Sequence, residues 1–322
     1  MKISQPLIHE IAERTWFVDE LGTNAMYILE GSERSLVIDA GTGYCNFKSI
    51  IESITDKPYD VAITHAHPDH VGMMHEFDHI FINRLELDGE TIPTEDRKKY
   101  SDLVKDGQVG EMFARCVGPI KAEGYFFKIA RQHVGYWDVW EPKDEYICKG
   151  DKDTELIFID EGYVFDLGDR KVSTVFLPGH TKGHLIFIDD MTRIAFTGDA
   201  VNHNNGSRFH AASTHIRYLL HFLEGYGKTY DRIFNGHTSY GGTFSSFSEP
   251  IAVVYNLVEA YRALLRGEAH TEVRPVHIDP SRTVELVVYG TDAPNSRLSK
   301  NPMVTPNVPP RLWEDGEEHI IP

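Results

Sequence analysis

The chain has 322 residues, 41% hydrophobic and 25% charged, the balance of a globular protein large enough to bury a core without disulfide or metal staples. Its 32 basic and 49 acidic residues leave a net charge of −17, which argues against a partner made of nucleic-acid phosphates or an anionic membrane. A small anionic substrate in a locally positive pocket, such as a metal centre, stays open. No run approaches the ~18 apolar residues of a membrane span, and the opening MKISQPLIHEIAERTW lacks the apolar stretch of a signal peptide. Cys45, Cys116 and Cys148 are too widely spaced for a CxxC pair and odd in number. A reducing cytoplasm is the expected setting.

In chain order, TWFVDE (15–20), NAMYILE (24–30) and SLVIDA (35–40) predict a meander of short strands broken by Gly-containing turns. FKSIIESI (47–54) has helical spacing through Phe47, Ile50, Ile51 and Ile54. DVAIT (60–64) and IFIN (80–83) read as strands. Residues 84–150 are charged, aromatic and punctuated by Gly and Pro, which suggests a helical or irregular insertion on the core. From 156 the strand rhythm resumes in LIFI, KVSTVFL, HLIFID and RIAFTG. A helix is expected over 212–225, with Ser213 as its cap and Ile216, Leu219, Leu220 and Leu223 on one face. RIFNG (232–236) is a strand ending. A second helix fits 250–266 through Val254, Leu257, Val258, Tyr261, Leu264 and Leu265, and VELVVYG (284–290) is a late strand. Residues 1–290 are thus expected to form one domain, followed by a Pro-rich tail over 291–322.

The chemistry concentrates in DVAITHAHPDHVG (60–72), where His65, His67, Asp69 and His70 follow a strand within six residues. Side chains two apart on an extended segment point the same way, so His65 and His67 can share one cation. If Asp69 and His70 open a helical turn, they face a second point. These N and O donors suit zinc, iron or manganese rather than a thiolate site. Three more strands end in a glycine followed by a ligand type: His180 in LPGHTKGH, Asp199 in TGDA and His237 in NGHT. Each alone also fits a hydrogen-bonded strand-end residue or a turn. Together, in this order and beside HxHxDH, they point to a metal centre.

These segments, with VIDAGTG (37–43), resemble the metallo-β-lactamase superfamily of metallohydrolases from about Thr23 to Thr238. The resemblance implies an α/β (α+β) architecture, the αββα sandwich, with metals at one sheet edge. It assigns one cation to His65, His67 and His180, a second to Asp69, His70 and His237, and a bridging role to Asp199. The cofactor implied is two divalent ions, Zn2+ above all, with iron or manganese as alternatives. Asp39 falls where the family keeps a carboxylate behind a ligand, and His184 where it keeps a supporting histidine. Asp69 would also orient a water activated between the metals.

The activity implied is hydrolysis of a small ester, thioester or related bond, with lactonase and phosphodiesterase chemistry of the same fold as alternatives. A further alternative is a mononuclear iron oxidoreductase of the persulfide dioxygenase kind, and a third a non-catalytic metal-stabilised module. The bridging Asp199 disfavours broad-spectrum β-lactamases, His67 disfavours flavodiiron enzymes, and Asn202 stands where the lactonases keep a tyrosine. The ligand set matches that of the glyoxalase II enzymes, but the stretch after Asp199 does not. Candidate substrate contacts are Asn202, His203, Arg208 and His210, together with a wall of aromatics such as Tyr125, Phe127 and Trp137 in the insertion. The partner expected is a small molecule, with a homo-oligomer compatible with the tail and the 250–266 helix.

Overall fold

The computed structural model describes residues 6–20, 24–41, 43, 45–87, 153–201, 212–237, 249–267, 269–279 and 282–291. Seven strands form the first sheet in chain order: β1 (Leu7–Ala12), β2 (Thr15–Glu20), β3 (Asn24–Glu30), β4 (Ser35–Ile38), β5 (Tyr59–Ala62), β6 (His79–Ile82) and β7 (Glu155–Phe158). The first four pair antiparallel, as a meander must, and β4 to β7 run parallel. Two helices lie in the parallel half: α1 (Phe47–Ile54) and the single turn α2 (Pro68–Val71). Asn46 caps α1, its side-chain oxygen accepting from the Ser49 N–H at 3.0 Å.

The second sheet has the order β13-β12-β11-β10-β9-β8, built from β8 (Val164–Asp166), β9 (Lys171–Phe176), β10 (Leu185–Asp189), β11 (Ile194–Gly198), β12 (Arg232–Asn235) and β13 (Glu249–Pro250). Helices α3 (Ala212–Tyr226) and α4 (Ala252–Leu265) accompany it. A separate two-stranded ribbon, β14 (Ala269–Asp279) with β15 (Arg282–Thr291), follows.

Three apolar layers explain the strand composition. Tyr27, Leu36, Phe187 and Phe196 meet between the sheets. Their sequence neighbours Ile28 and Val37 pack outward with Phe47, Ile50 and Ile51 of α1. Ile186, Ile188 and Ala195 pack outward with Leu219, Phe222, Leu257 and Tyr261 of α3 and α4. Strands buried on both faces read as continuous apolar runs rather than alternating ones. This is the expected αββα sandwich.

The departures from expectation have local causes. β1 is an edge strand whose residues are half-buried or exposed, so LIHEIA carries little apolar signal. β8 has three residues, too short for periodicity. SLVIDA ends as a strand at Ile38, because Asp39 turns into the left-handed region at φ 64°. Ser213 is the second residue of α3 and lies inside the helix. Leu265, expected on the buried face of α4, is exposed at its last turn. The late strand is longer than VELVVYG and pairs with β14, whose interleaved charges hid it. Nearly all of the 84–150 insertion and the tail beyond 291 lie outside the described residues. Among the described residues no helix is long and apolar enough to cross a membrane.

Candidate metal centre

The candidate ligands stand at the C-terminal ends of parallel strands, where loops leave a sheet and point beyond its edge. Thr64 and His65 follow β5, and Asp39 follows the neighbouring β4, its N–H donating to the Ala62 carbonyl at 2.9 Å. Asp199 follows β11 and His237 follows the parallel β12 one residue later, the two ends being tied by Gly236 N–H to the Gly198 carbonyl at 2.9 Å. His180 comes from the loop joining β9 to β10. Leu185, the first residue of β10, donates to the Thr64 carbonyl at 2.9 Å, so the two sheets are stitched together at the site.

The glycines before these residues have two different reasons. Gly198 adopts φ 47°, and a Cβ there would sit 2.6 Å from the Thr64 hydroxyl oxygen. Gly236 makes a close approach, since a Cβ would lie 2.6 Å from the His70 ring and 2.9 Å from an Asp199 oxygen.

Three overlapping groups of three donors result: His65, His67 and His180; Asp69, His70 and His237; and, joining these two, His65, His70 and Asp199. His65 Nε2 lies 3.1 Å from His67 Nδ1, which lies 2.9 Å from His180 Nε2. A tetrahedral zinc with bonds of ~2.0–2.1 Å separates its nitrogens by about 3.3 Å, so this trio has the spacing of a shared cation. The second trio is Asp69, His70 and His237, with Asp69 Oδ2 3.8 Å from His70 Nε2 and 3.5 Å from His237 Nε2. Asp199 lies between them. Its Oδ2 is 3.4 Å from His180 Nε2 and 3.0 Å from His237 Nε2, and its Oδ1 is 3.8 Å from His70 Nε2. The turn α2 swings Asp69 and His70 away from the point that His65 and His67 share.

Among the described residues, His70 Nε2 and Asp199 Oδ1 are buried without a hydrogen-bond partner. Such orphans are rare in folded proteins and mark a place for a cation or a water. The donor set of imidazoles and carboxylates fits a borderline or hard divalent cation.

The surrounding network fixes the tautomers. Asp39, buried, accepts from the Thr64 N–H at 2.8 Å and from the Thr64 hydroxyl, and its Oδ2 is 2.8 Å from His70 Nδ1. Thr64 Oγ1 in turn lies 3.0 Å from His65 Nδ1. With the Thr64 proton directed to Asp39, His65 Nδ1–H donates to Thr64, and both His65 and His70 turn Nε2 toward the centre. His184 stacks on His65 at 4.8 Å, and its Nε2 accepts the Asp199 N–H at 3.2 Å. Asn24 donates to the Asp69 carbonyl at 2.5 Å.

Charge follows this layout. Burial, reinforced by the neighbouring histidines, holds the pKa of His65 well below the ordinary imidazole value. Burial likewise pulls His184 down to about 3. Burial also opposes charge on His70, but Asp69, Asp39 and Asp199 outweigh it and raise that pKa to about 10. Asp199 stays ionised, held well below the carboxylate range by His237, His180 and His70 in spite of burial. His67 and Asp69 are half-buried whereas the other five donors are buried, so access among the described residues is from their side.

All seven ligand candidates from the sequence are therefore brought together, with Asp39 and His184 in contact behind them. Asn202, His203, Arg208 and His210 lie outside the described residues, as do the insertion aromatics. Thr64 and Asn24 escape a reading of ligand types because their roles are to hold others. Thr64 adjoins the HxHxDH motif, and that adjacency is the signal that could have marked it.

A profile of the metallo-beta-lactamase superfamily matches residues 18–250, most of the chain and all of the site. The chain belongs to this superfamily. Among curated relatives, the acyl-coenzyme A thioesterase MBLAC2 of Homo sapiens is 24% identical over 195 residues, covering 56% of this chain and 60% of the relative. The metallo-beta-lactamase fold-containing protein ST1585 of Sulfurisphaera tokodaii is 25% identical over 177 residues, covering 54% of this chain and 56% of its own. Both matches span less than two thirds of the relatives' lengths. The inverting sec-alkylsulfatase Pisa1 from Pseudomonas sp. superposes with a TM-score of 0.50 at 13% identity, over 82% of this chain and 42% of the sulfatase. That likeness is one of fold.

Proposed function

We propose that the chain is a dinuclear metal-dependent hydrolase of a small thioester or oxygen ester. The observation that carries this reading is Asp199, whose carboxylate lies within 3.4 Å of a ring nitrogen of each trio. His65, His67 and His180 would hold one cation, Asp69, His70 and His237 the other, and Asp199 both. Zn2+ suits the donors best, and iron or manganese is also accommodated. The thioester preference rests on the MBLAC2 likeness.

Bound there, two divalent cations supply a water acidified toward neutral pH and Lewis-acid polarisation of an acyl oxygen. The protein's residues do the rest. Asp39 and Thr64 keep His70 and His65 in the tautomers that present Nε2. His184 holds the Asp199 backbone. Asp69 is the carboxylate with partial exposure at the open side, so the oxygen it does not give to a cation would accept a proton from the incoming water and return it to the leaving thiolate or alkoxide.

The test is metal per chain by plasma mass spectrometry, with turnover of acyl-coenzyme A thioesters, oxygen esters, lactones and phosphodiesters before and after chelation. About two divalent ions and chelation-sensitive thioester or ester cleavage are expected. About one iron with oxygen consumption on persulfides would replace this reading with the oxidoreductase.

A further inference from the structure

Glu86 belongs to no motif, yet it is 1% exposed and ends up beneath the metal centre. It sits in the 3-10 turn Arg84–Leu87 after β6. Its Oε2 accepts the Ala66 N–H at 2.6 Å and its Oε1 accepts the Gly183 N–H at 2.7 Å. Ala66 is the residue between His65 and His67, and Gly183 lies between His180 and His184. One carboxylate therefore fastens the backbones of the two loops that supply the first trio and the histidine stacked behind it. Short bonds from backbone N–H groups to an ionised acceptor are among the strongest available in a protein interior.

The neighbours are shaped to hold it there. A Cβ on Gly183 would lie 2.8 Å from the Glu86 nitrogen and 2.9 Å from Asn83 Oδ1, so only glycine lets the two loops meet. Asn83 braces the turn, its Oδ1 accepting from Leu85 N–H at 2.9 Å and its Nδ2 donating to Asp160 at 2.7 Å and to the Ile159 carbonyl at 3.1 Å. Glu86 thus connects the far edge of the first sheet to His65, His67 and His180. The two bonds run to the loops of the first trio, at Ala66 and Gly183, and not to Asp69, His70 or His237.

We propose that Glu86 is a positioning residue that sets the spacing of the His65–His67–His180 trio and so controls the affinity of that cation position selectively. The proposal rests on the dinuclear reading above. Glutamine in its place keeps one acceptor and turns an NH2 toward the second backbone N–H, releasing one loop while conserving shape.

The experiment is a Zn2+ and Co2+ titration of the metal-free wild type, Glu86→Gln and Gly183→Ala, with competing chelator, cobalt absorption spectra and melting curves of the metal-free proteins. Gly183→Ala keeps the carboxylate but pushes the turn away. The expected result is one equivalent weakened 10–100-fold in both variants, with a changed cobalt spectrum for that equivalent, the other equivalent unchanged, and metal-free melting like wild type. Equal affinities for both equivalents in all three proteins would overturn the proposal. So would equal weakening of both equivalents, or variants that fail to fold without metal, since either makes Glu86 a general structural residue. A wild type that binds fewer than two ions would instead sink the dinuclear reading itself.

Discussion

His70 shows how the site manages charge. Its ring is buried among Asp39, Asp69 and Asp199, and its pKa of about 10 means that Nε2 carries a proton at neutral pH when no cation is present. A cation arriving at that nitrogen must displace the proton. Affinity at the second position should therefore rise with pH, up to tenfold per unit, until pH passes about 10. Calorimetric Zn2+ titrations at pH 7.5 in two buffers of different ionisation enthalpy should report release of at least about one proton per chain; heats independent of buffer would refute the assignment. The same groups set the pH window of the metal-free fold. A raised His70 stabilises below its unfolded value near 6.5, and that contribution is lost as pH rises through about 10. His184, lowered by burial to about 3, acts in the opposite sense and costs stability as pH falls below about 6.5, because only the unfolded chain takes up that proton.

At the scale of elements, the two sheets are joined at both ends by polar contacts. The site closes one end. At the other, Arg170 is fully buried and bonds Asp189 at 2.8 and 2.7 Å. It also donates to Thr15 Oγ1 at 2.7 Å and to the carbonyl of Arg14 at 2.8 Å. This guanidinium ties the end of β10 to the start of β2, five residues along β10 from His184. Removing one partner of such a pair strands a buried charge, at a cost of about 3–5 kcal/mol. Asp189→Leu should lower urea-unfolding stability by that amount while leaving metal content unchanged, because the strand separates the pair from the ligands by roughly 17 Å at ~3.3 Å per residue. An equal loss of bound metal would show that the two ends are coupled.

For the whole molecule, the fold and the metal centre are parts of one equilibrium. The seven donors come from four loops spread from residue 65 to residue 237, so cations bound to the folded chain have no comparable site in the unfolded one. Each position held at 100 times its Kd adds about 2.7 kcal/mol. With both filled, chelation should lower Tm by on the order of 10 °C for a chain of this size. Calorimetric scans with and without chelator measure this, and coincident transitions would mean that the centre contributes nothing to folding stability. The net charge of −17 adds to the effect, since the cations offset carboxylates crowded at one end of the sandwich.

The ligand types, their order and the strands before them were legible in the amino-acid sequence, because a buried strand needs an unbroken apolar run and a cation needs imidazole and carboxylate donors at its end. So was α1, from the spacing of Phe47, Ile50 and Ile51. The sequence also determined that His180, Asp199 and His237 each follow a glycine at a strand end. It could not reveal that Gly236 serves the His70 ring by close approach, or that Thr64 relays Asp39 to His65, since those contacts join residues 25 or more positions apart. The edge strand β1 carried little apolar signal because it buries so little, and β8 is too short to show a period. Glu86 is the plainest case: in the chain it is one of 49 acidic residues. Only the tertiary structure brings it beneath two loops more than a hundred residues apart, where burial turns an ordinary carboxylate into an anchor for both.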